Sequence, residues 1–169
     1  MSIEKKIANA FNLTDENWIK HSNPWSVWTR FTVLPLIVFA FWIRIWMGWW
    51  CLIPVTISLF WMFYNPVIFS KPKSTKNWAS KSVLGERVYI NRSKIDIPKR
   101  HKNGIYWLLN LMSSIGLIMT IWAIIIYSVW GVVFGTFLTL FSKGWYLDRM
   151  VWLYEDMKNT NQEYKSWEY

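Results

Sequence analysis

IYWLLNLMSSIGLIMTIWAIII, residues 105 to 126, runs for 22 residues without a charge or a proline. As a helix it would rise about 33 Å, and about 20 apolar residues suffice to cross the hydrocarbon of a bilayer. The stretch predicts a transmembrane helix, and it sets the question for the rest of the chain: how many times does the chain cross, and what lies between the crossings?

Three further apolar runs answer the first part. Trp25 to Ile43 carries Arg30 near its start and Pro35 in its middle, which predicts a kinked span. Trp49 to Tyr64 contains Pro54, and Asn65-Pro66 is expected to stop it. Val132 to Leu147, extended to about residue 150, holds Lys143, a side chain long enough to snorkel toward headgroups. The predicted fold class is an all-α membrane protein with spans at about 25–43, 49–64, 105–126 and 132–150. The second and fourth runs are short, so three spans with one re-entrant segment is the alternative. Gly116 with Thr120, and Gly131 with Gly135, place small residues one turn apart and predict close packing of the last two spans.

Composition agrees. Apolar residues make up 53% of the chain and charged ones only 17%, against about 25% charged in typical soluble domains. Fifteen tryptophans are more than a small core absorbs, whereas a bilayer interface favours them. The net charge of +9 therefore points to orientation and to contact with anionic lipid rather than to nucleic acid. The single cysteine, Cys51, excludes an internal disulfide and is expected to be a buried or lipid-facing residue.

The segment from Ser70 to Asn103 holds ten Lys or Arg and two acids, Glu86 and Asp96, while the link YSVWG between the last two runs holds no charge. The positive-inside rule then places this segment and both termini in the cytoplasm. The amino-terminal stretch lacks the apolar core of a signal peptide. Ile3, Ile7 and Phe11 predict an interfacial amphipathic helix there, and Thr14 is expected to cap a second turn ending near His21. Within the central segment, GERVYINRSKIDIP alternates in a manner that predicts a short β-hairpin, with Val88 and Ile90 on one face and a turn at Asn91-Arg92-Ser93. Residues 151–169 are expected to form a cytoplasmic tail.

Polar residues that could carry chemistry fall in three stretches. In LDRMVWLYED, residues 147 to 156, Asp148, Trp152 and Glu155 share a helix face, and Arg87 and Arg92 are the expected partners of the two carboxylates. HSNPWSVWTR, residues 21 to 30, offers His21 and Arg30, and NWASKSVLGERVYINR, residues 77 to 92, offers Glu86, Arg87, Asn91 and Arg92. Two readings follow. The stretches form an ion-paired cap on a structural or accessory protein, binding anionic lipid or joining a larger complex or a second copy. Alternatively they form a lipid-active site, with His21, Glu86, Asp148 and Glu155 as catalytic candidates and Arg30, Arg87, Asn91, Arg92 and Arg149 as lipid- or phosphate-binding ones. His101, in KRHKNG, is expected to extend a solvated basic patch.

With two histidines and no Glu-x-x-His, no metal or cofactor set is legible, and no cofactor is assigned. Gly-rich phosphate loops, His-Glu-x-x-His and Gly-x-Ser-x-Gly are absent. The charge-free third span argues against an ion pathway.

HSNPWSVWTR, NPVIF at 65 to 69, NWASKSVLGERVYINR and WYLDRMVWLYEDM at 145 to 157 together resemble a family of small prokaryotic integral membrane proteins of unknown function. The resemblance covers roughly residues 17 to 158. It implies four spans and assigns no activity. It also marks Asn23, Trp25, Trp28, Asn77, Trp78 and Asp156 beside the candidates already named.

Overall fold

A computed structural model describes residues 14–169, so the amphipathic helix expected around Ile3, Ile7 and Phe11 lies outside the described residues. Among the described residues every regular element is helical. The chain divides into two compact bodies. An apolar body comprises Thr29–Phe63 and Ile105–Tyr146, and a charged body comprises the described residues up to Trp28 together with Tyr64–Gly104 and Leu147–Tyr169.

In the apolar body, the end of α2 (Pro24–Phe31) is followed by α3 (Val33–Trp42). The break falls at Thr32, because Pro35 has no N–H to offer the Phe31 carbonyl. The kink expected from Pro35 therefore appears one turn before it. After the one-turn α4 (Arg44–Met47), Gly48 takes φ +55°, a conformation that favours glycine, and a 3-10 turn over Gly48–Cys51 leads into α5 (Leu52–Ile68). Helix α5 does not stop at Asn65-Pro66 as expected. It continues to Ile68 with Pro66 inside it, and Ser26 bonds the Asn65 side chain at the point where the proline interrupts the ladder.

The long apolar stretch forms α7 (Ile105–Ile125), numbered after α6 of the charged body, and Val129–Met157 forms α8. A three-residue reversal, Ile126 to Ser128, turns the chain between them. Tyr127 adopts φ +55°, and the Ser128 N–H returns to the Ala123 carbonyl at 2.9 Å, closing the end of α7. The two helices then pack through a reciprocal motif. A Cβ on Gly116 would lie 2.6 Å from Thr139 Oγ1, and one on Gly135 would lie 2.6 Å from Thr120 Oγ1. Each threonine hydroxyl is turned back to its own helix, Thr120 to the Gly116 carbonyl at 2.9 Å and Thr139 to Gly135 at 2.8 Å, so the crossing carries no unpaired hydroxyl from these two. Gly131 meets Ala123 one turn further on. The predicted small-residue packing is thus the α7–α8 contact.

Two helical stretches among the described residues, Pro24–Ile68 and Lys99–Ile125, are long and apolar enough to cross a membrane. In their most apolar windows only 11% and 28% of residues are buried, whereas the core helix of a soluble domain is mostly buried. The stretch from residue 129 does not qualify: from Ser142 on, Lys143 and the charges of LDRMVWLYED dilute it.

The charged body is built on α6 (Trp78–Ile90), the end of α8, α1 (Asp15–His21) and α9 (Gln162–Ser166). The expected hairpin is absent. Residues 85–90 belong to α6, and Asn91–Ser93 is a 3-10 turn rather than a β-turn. The alternation of Val88 with Ile90 was local. The longer pattern is helical: Ala79, Val83 and Arg87 form one buried row, and Ser80, Leu84 and Val88 form the next. Asn77 starts the helix by accepting the Ser80 N–H at 2.9 Å. Thr14 caps α1 in the expected way, accepting the Asn17 N–H. Gly85 lies against the Met150 main chain, where a Cβ would overlap the carbonyl. Met150, Leu153, Tyr154 and Leu84 fill the core around that crossing.

Candidate functional site

The polar residues of the charged body sort into three clusters, each built by helices that bury one face. The first joins α1, α2 and the end of α5. His21 and Ser26 are buried, with His21 Nδ1 3.1 Å from Ser26 Oγ. The hydroxyl gives its proton to Asn65 Oδ1 at 2.8 Å, so it accepts from the imidazole. Beside this chain, Ser80 Oγ donates to the Ser22 carbonyl at 2.6 Å, and the Asn77 amide donates to Ser80 Oγ. A His–Ser contact of this kind invites comparison with a nucleophile and its base. Here both groups are enclosed and the hydroxyl proton points at an amide, which is the arrangement of a structural network.

The second cluster is a ring of four charges. Lys81 of α6 pairs with Glu155 of α8 and lies 3.6 Å from Glu168. Lys158 pairs with the same two acids at 2.8 and 3.1 Å. Hydrogen bonds from Lys158 and Lys81 hold the Glu155 carboxyl below its ordinary range, and bonds to Glu155 and Glu168 hold Lys158 above its own. Behind the ring the chain folds back. Tyr164 and Trp167 are buried, and the Tyr154 hydroxyl donates to the Tyr164 carbonyl at 3.1 Å. Burial, with Glu168 and Glu155 nearby, pushes the Tyr154 hydroxyl well up. Thr75 Oγ1 donates to the Trp167 carbonyl at 2.7 Å. Within residues 151–169, expected as a tail, Leu153, Tyr154, Met157, Tyr164 and Trp167 are thus buried in the body's core.

The third cluster surrounds Asp156. Arg100 grips both of its oxygens, and His101 Nε2 lies 2.5 Å from Oδ2. Partial burial pushes the Asp156 carboxyl up, but the bonds from His101 and Arg100 outweigh it and the group lies below the usual carboxylate range. His101 is therefore buried and paired, which corrects its expected place in a solvated patch.

The sequence candidates do not converge on one point. Asp148 accepts the Trp78 indole N–H at 3.2 Å and the Arg149 guanidinium at 2.9 Å, while Trp78 stacks on Trp28 at 5.4 Å. Arg149 also lies over Trp152. Arg87 and Arg92 are not the partners of Asp148 and Glu155. Arg87 stacks on Trp167 at 4.0 Å, near Glu163, and Arg92 stacks on Tyr89 and donates to its carbonyl at 2.8 Å. The reason is that the segment is helical: Arg87 lies on the buried side of α6, which ends at Ile90, and Arg92 lies in the 3-10 turn beyond it. Glu86 is half-buried on α6, Asn91 caps that helix, and Arg30 belongs to the apolar body in the last turn of α2.

Sequence reasoning missed Lys81, Lys158 and Arg100 as partners of the LDRMVWLYED carboxylates, and Glu168 as the second acid of the ring. A spacing signal existed for Lys158 alone, at i+3 from Glu155. It also missed Arg44 in the apolar body, which caps α7 by donating to the Ile124 carbonyl at 2.8 Å and to the Tyr127 hydroxyl at 2.7 Å. Among the described residues no group of three or more His, Cys, Asp or Glu side chains is placed to hold a metal ion.

No curated protein and no solved structure matches the chain. A family model does match it, over residues 2–167, which extends the resemblance seen in the four motifs to both ends. The chain belongs to the family of unknown function DUF6653.

Proposed function

We propose that this chain is a multi-pass membrane protein with four crossings and a cytoplasmic charged body, acting as a structural or accessory component that contacts anionic lipid or a larger membrane complex. The observation that carries the reading is the outward apolar surface of the apolar body. Trp46, Trp49, Trp107, Trp122, Trp130 and Phe137 are all more than half exposed, an apolar surface far beyond what a soluble monomer tolerates. Four crossings are supported by length. The 45 residues of Pro24–Ile68 would rise about 68 Å as one helix, twice the hydrocarbon thickness, and the chain breaks at Gly48 in their middle. The turn at Tyr127 and Ser128 gives α7 and α8 the form of an out-and-back pair.

Contact with anionic lipid is supported by the exposed lysines Lys71, Lys73, Lys76, Lys94 and Lys99 of the central segment. Because Gly116 and Gly135 are occupied by each other's helices, self-association would use another face. The enzyme reading has less support: His21 is enclosed, and Asp148 and Glu155 are each engaged by their own partners.

The test is thermal unfolding of the protein in nanodiscs of phosphatidylcholine alone or doped with phosphatidylglycerol. The anionic discs are expected to raise the Tm, with a gain that fades as salt is added. Equal Tm values at low salt would remove the anionic-lipid role.

A further inference from the structure

One cavity of the charged body belongs to none of the three clusters' closed interiors. It has a volume of about 310 Å³ and is lined by Tyr89, Arg92, Asp96, His101, Lys102 and Asn103, with Ile97 at its floor. That size lies at the lower end for small-molecule sites and suits a compact headgroup. Its lining is rich in donors. Arg92 carries a permanent charge, and its stacking on Tyr89 and bond to the Tyr89 carbonyl hold the guanidinium in place. His101 is oriented by Asp156 through Nε2. Lys102 and the Asn103 amide complete the donor set.

The one acid in the lining is Asp96, which is mostly exposed and pairs with Lys102 at 2.6 Å. An exposed ion pair of this kind is weak and readily exchanged. An incoming anion can therefore take Lys102 from Asp96 while accepting two parallel bonds from Arg92. A divalent oxyanion gains most, because it faces two cations, Arg92 and Lys102.

We propose that this cavity binds a phosphate monoester. A lipid can bear such a monoester. A soluble phosphate ester carries the same group, and the site does not depend on the anionic-lipid contact proposed above.

The experiment uses the whole protein in phosphatidylcholine nanodiscs. In one arm glycerol phosphate is titrated calorimetrically. In the other, discs doped with phosphatidic acid are compared with discs doped with phosphatidylglycerol, a phosphodiester, by Tm. Arg92→Gln is expected to weaken monoester binding about tenfold or more, Lys102→Gln several-fold, and Lys165→Gln, at an exposed lysine outside the lining, not at all. Lys102 is half-exposed, so its variant tests the site even if Arg92→Gln misfolds. Saturable binding in only one arm supports the site and identifies the ligand's source. Two results would overturn it: no saturable glycerol phosphate binding together with an equal response to the two anionic lipids, or equal loss in the Lys165 and Lys102 variants. A general anionic-lipid effect with no monoester preference would sink the cavity while leaving the preceding reading intact.

Discussion

Gly85 and Gly144 show how much a single hydrogen-to-methyl change depends on its surroundings. Both lie inside helices, where alanine is intrinsically better by about 1 kcal/mol. At Gly144 a Cβ meets nothing within 4 Å, so Gly144→Ala should be neutral or slightly stabilising. At Gly85 the Cβ would overlap the Met150 carbonyl, which belongs to a helix backbone and cannot rotate aside. Gly85→Ala should therefore force α6 and α8 apart and cost about 1–3 kcal/mol. Thermal unfolding of the two variants side by side in one detergent checks this, and equal Tm values would show that the crossing is looser than described. The same scale explains Arg44. Its guanidinium meets the last carbonyls of α7, where the helix's negative end has no donors of its own.

Among elements, the ion-pair ring and the Asp156 cluster tie α6, α8 and the stretch around Lys99–His101 into one body, and their titration gives stability a defined pH window. Glu155 and Asp156 have folded pKa values below their unfolded ones. Their contribution is complete above the ordinary carboxylate range near about pH 4 and is lost as pH falls through the lower folded values. Lys158 is shifted the other way. Its contribution is complete below the ordinary lysine value of about 10.4 and is lost as pH rises through the elevated one. Tm should thus be level from about pH 5 to about pH 10 and fall on both sides. Glu155→Gln together with Asp156→Asn should flatten the acid limb, whereas Lys158→Met should only make the alkaline limb shallower, because the raised Tyr154 hydroxyl contributes to it as well. An acid limb unchanged in the double variant would mean that other carboxylates govern it.

For the whole molecule the testable quantity is the path of the chain. The four crossings and cytoplasmic charged body proposed above would put Trp49 outside and Lys73 inside. With Cys51, the single cysteine, replaced by serine, Trp49→Cys and Lys73→Cys can be labelled with a membrane-impermeant maleimide. In intact cells the cysteine at 49 should react, and the one at 73 only after the membrane is opened. The reverse pattern would invert the orientation. Reaction of both from one side would mean that α5 does not cross. The exposed tryptophans at 46, 49 and 50 and those at 25 and 28 would then need another explanation than two interfaces.

The sequence by itself determined the helical class, the charge-free stretch of α7, the cap at Thr14, the break near Pro35 and the small-residue seam of α7 and α8. Each is set by periodicity or by chemistry within about one turn of chain, so it is legible without neighbours. Only the tertiary structure decided that 85–90 is helix, that Asn65-Pro66 does not end α5, and that Tyr164 and Trp167 are core. In each case the outcome depends on a partner far away in sequence: Met150 for Gly85, Ser26 for Asn65, and Thr75 and Tyr154 for the stretch from Tyr164 to Trp167. The ion-pair partners follow the same rule. LDRMVWLYED announces that its carboxylates need cations, but among many nearby lysines and arginines the choice of Lys81, Lys158 and Arg100 is made by helix phase. A local alternation such as Val88 with Ile90 carries no information about that phase.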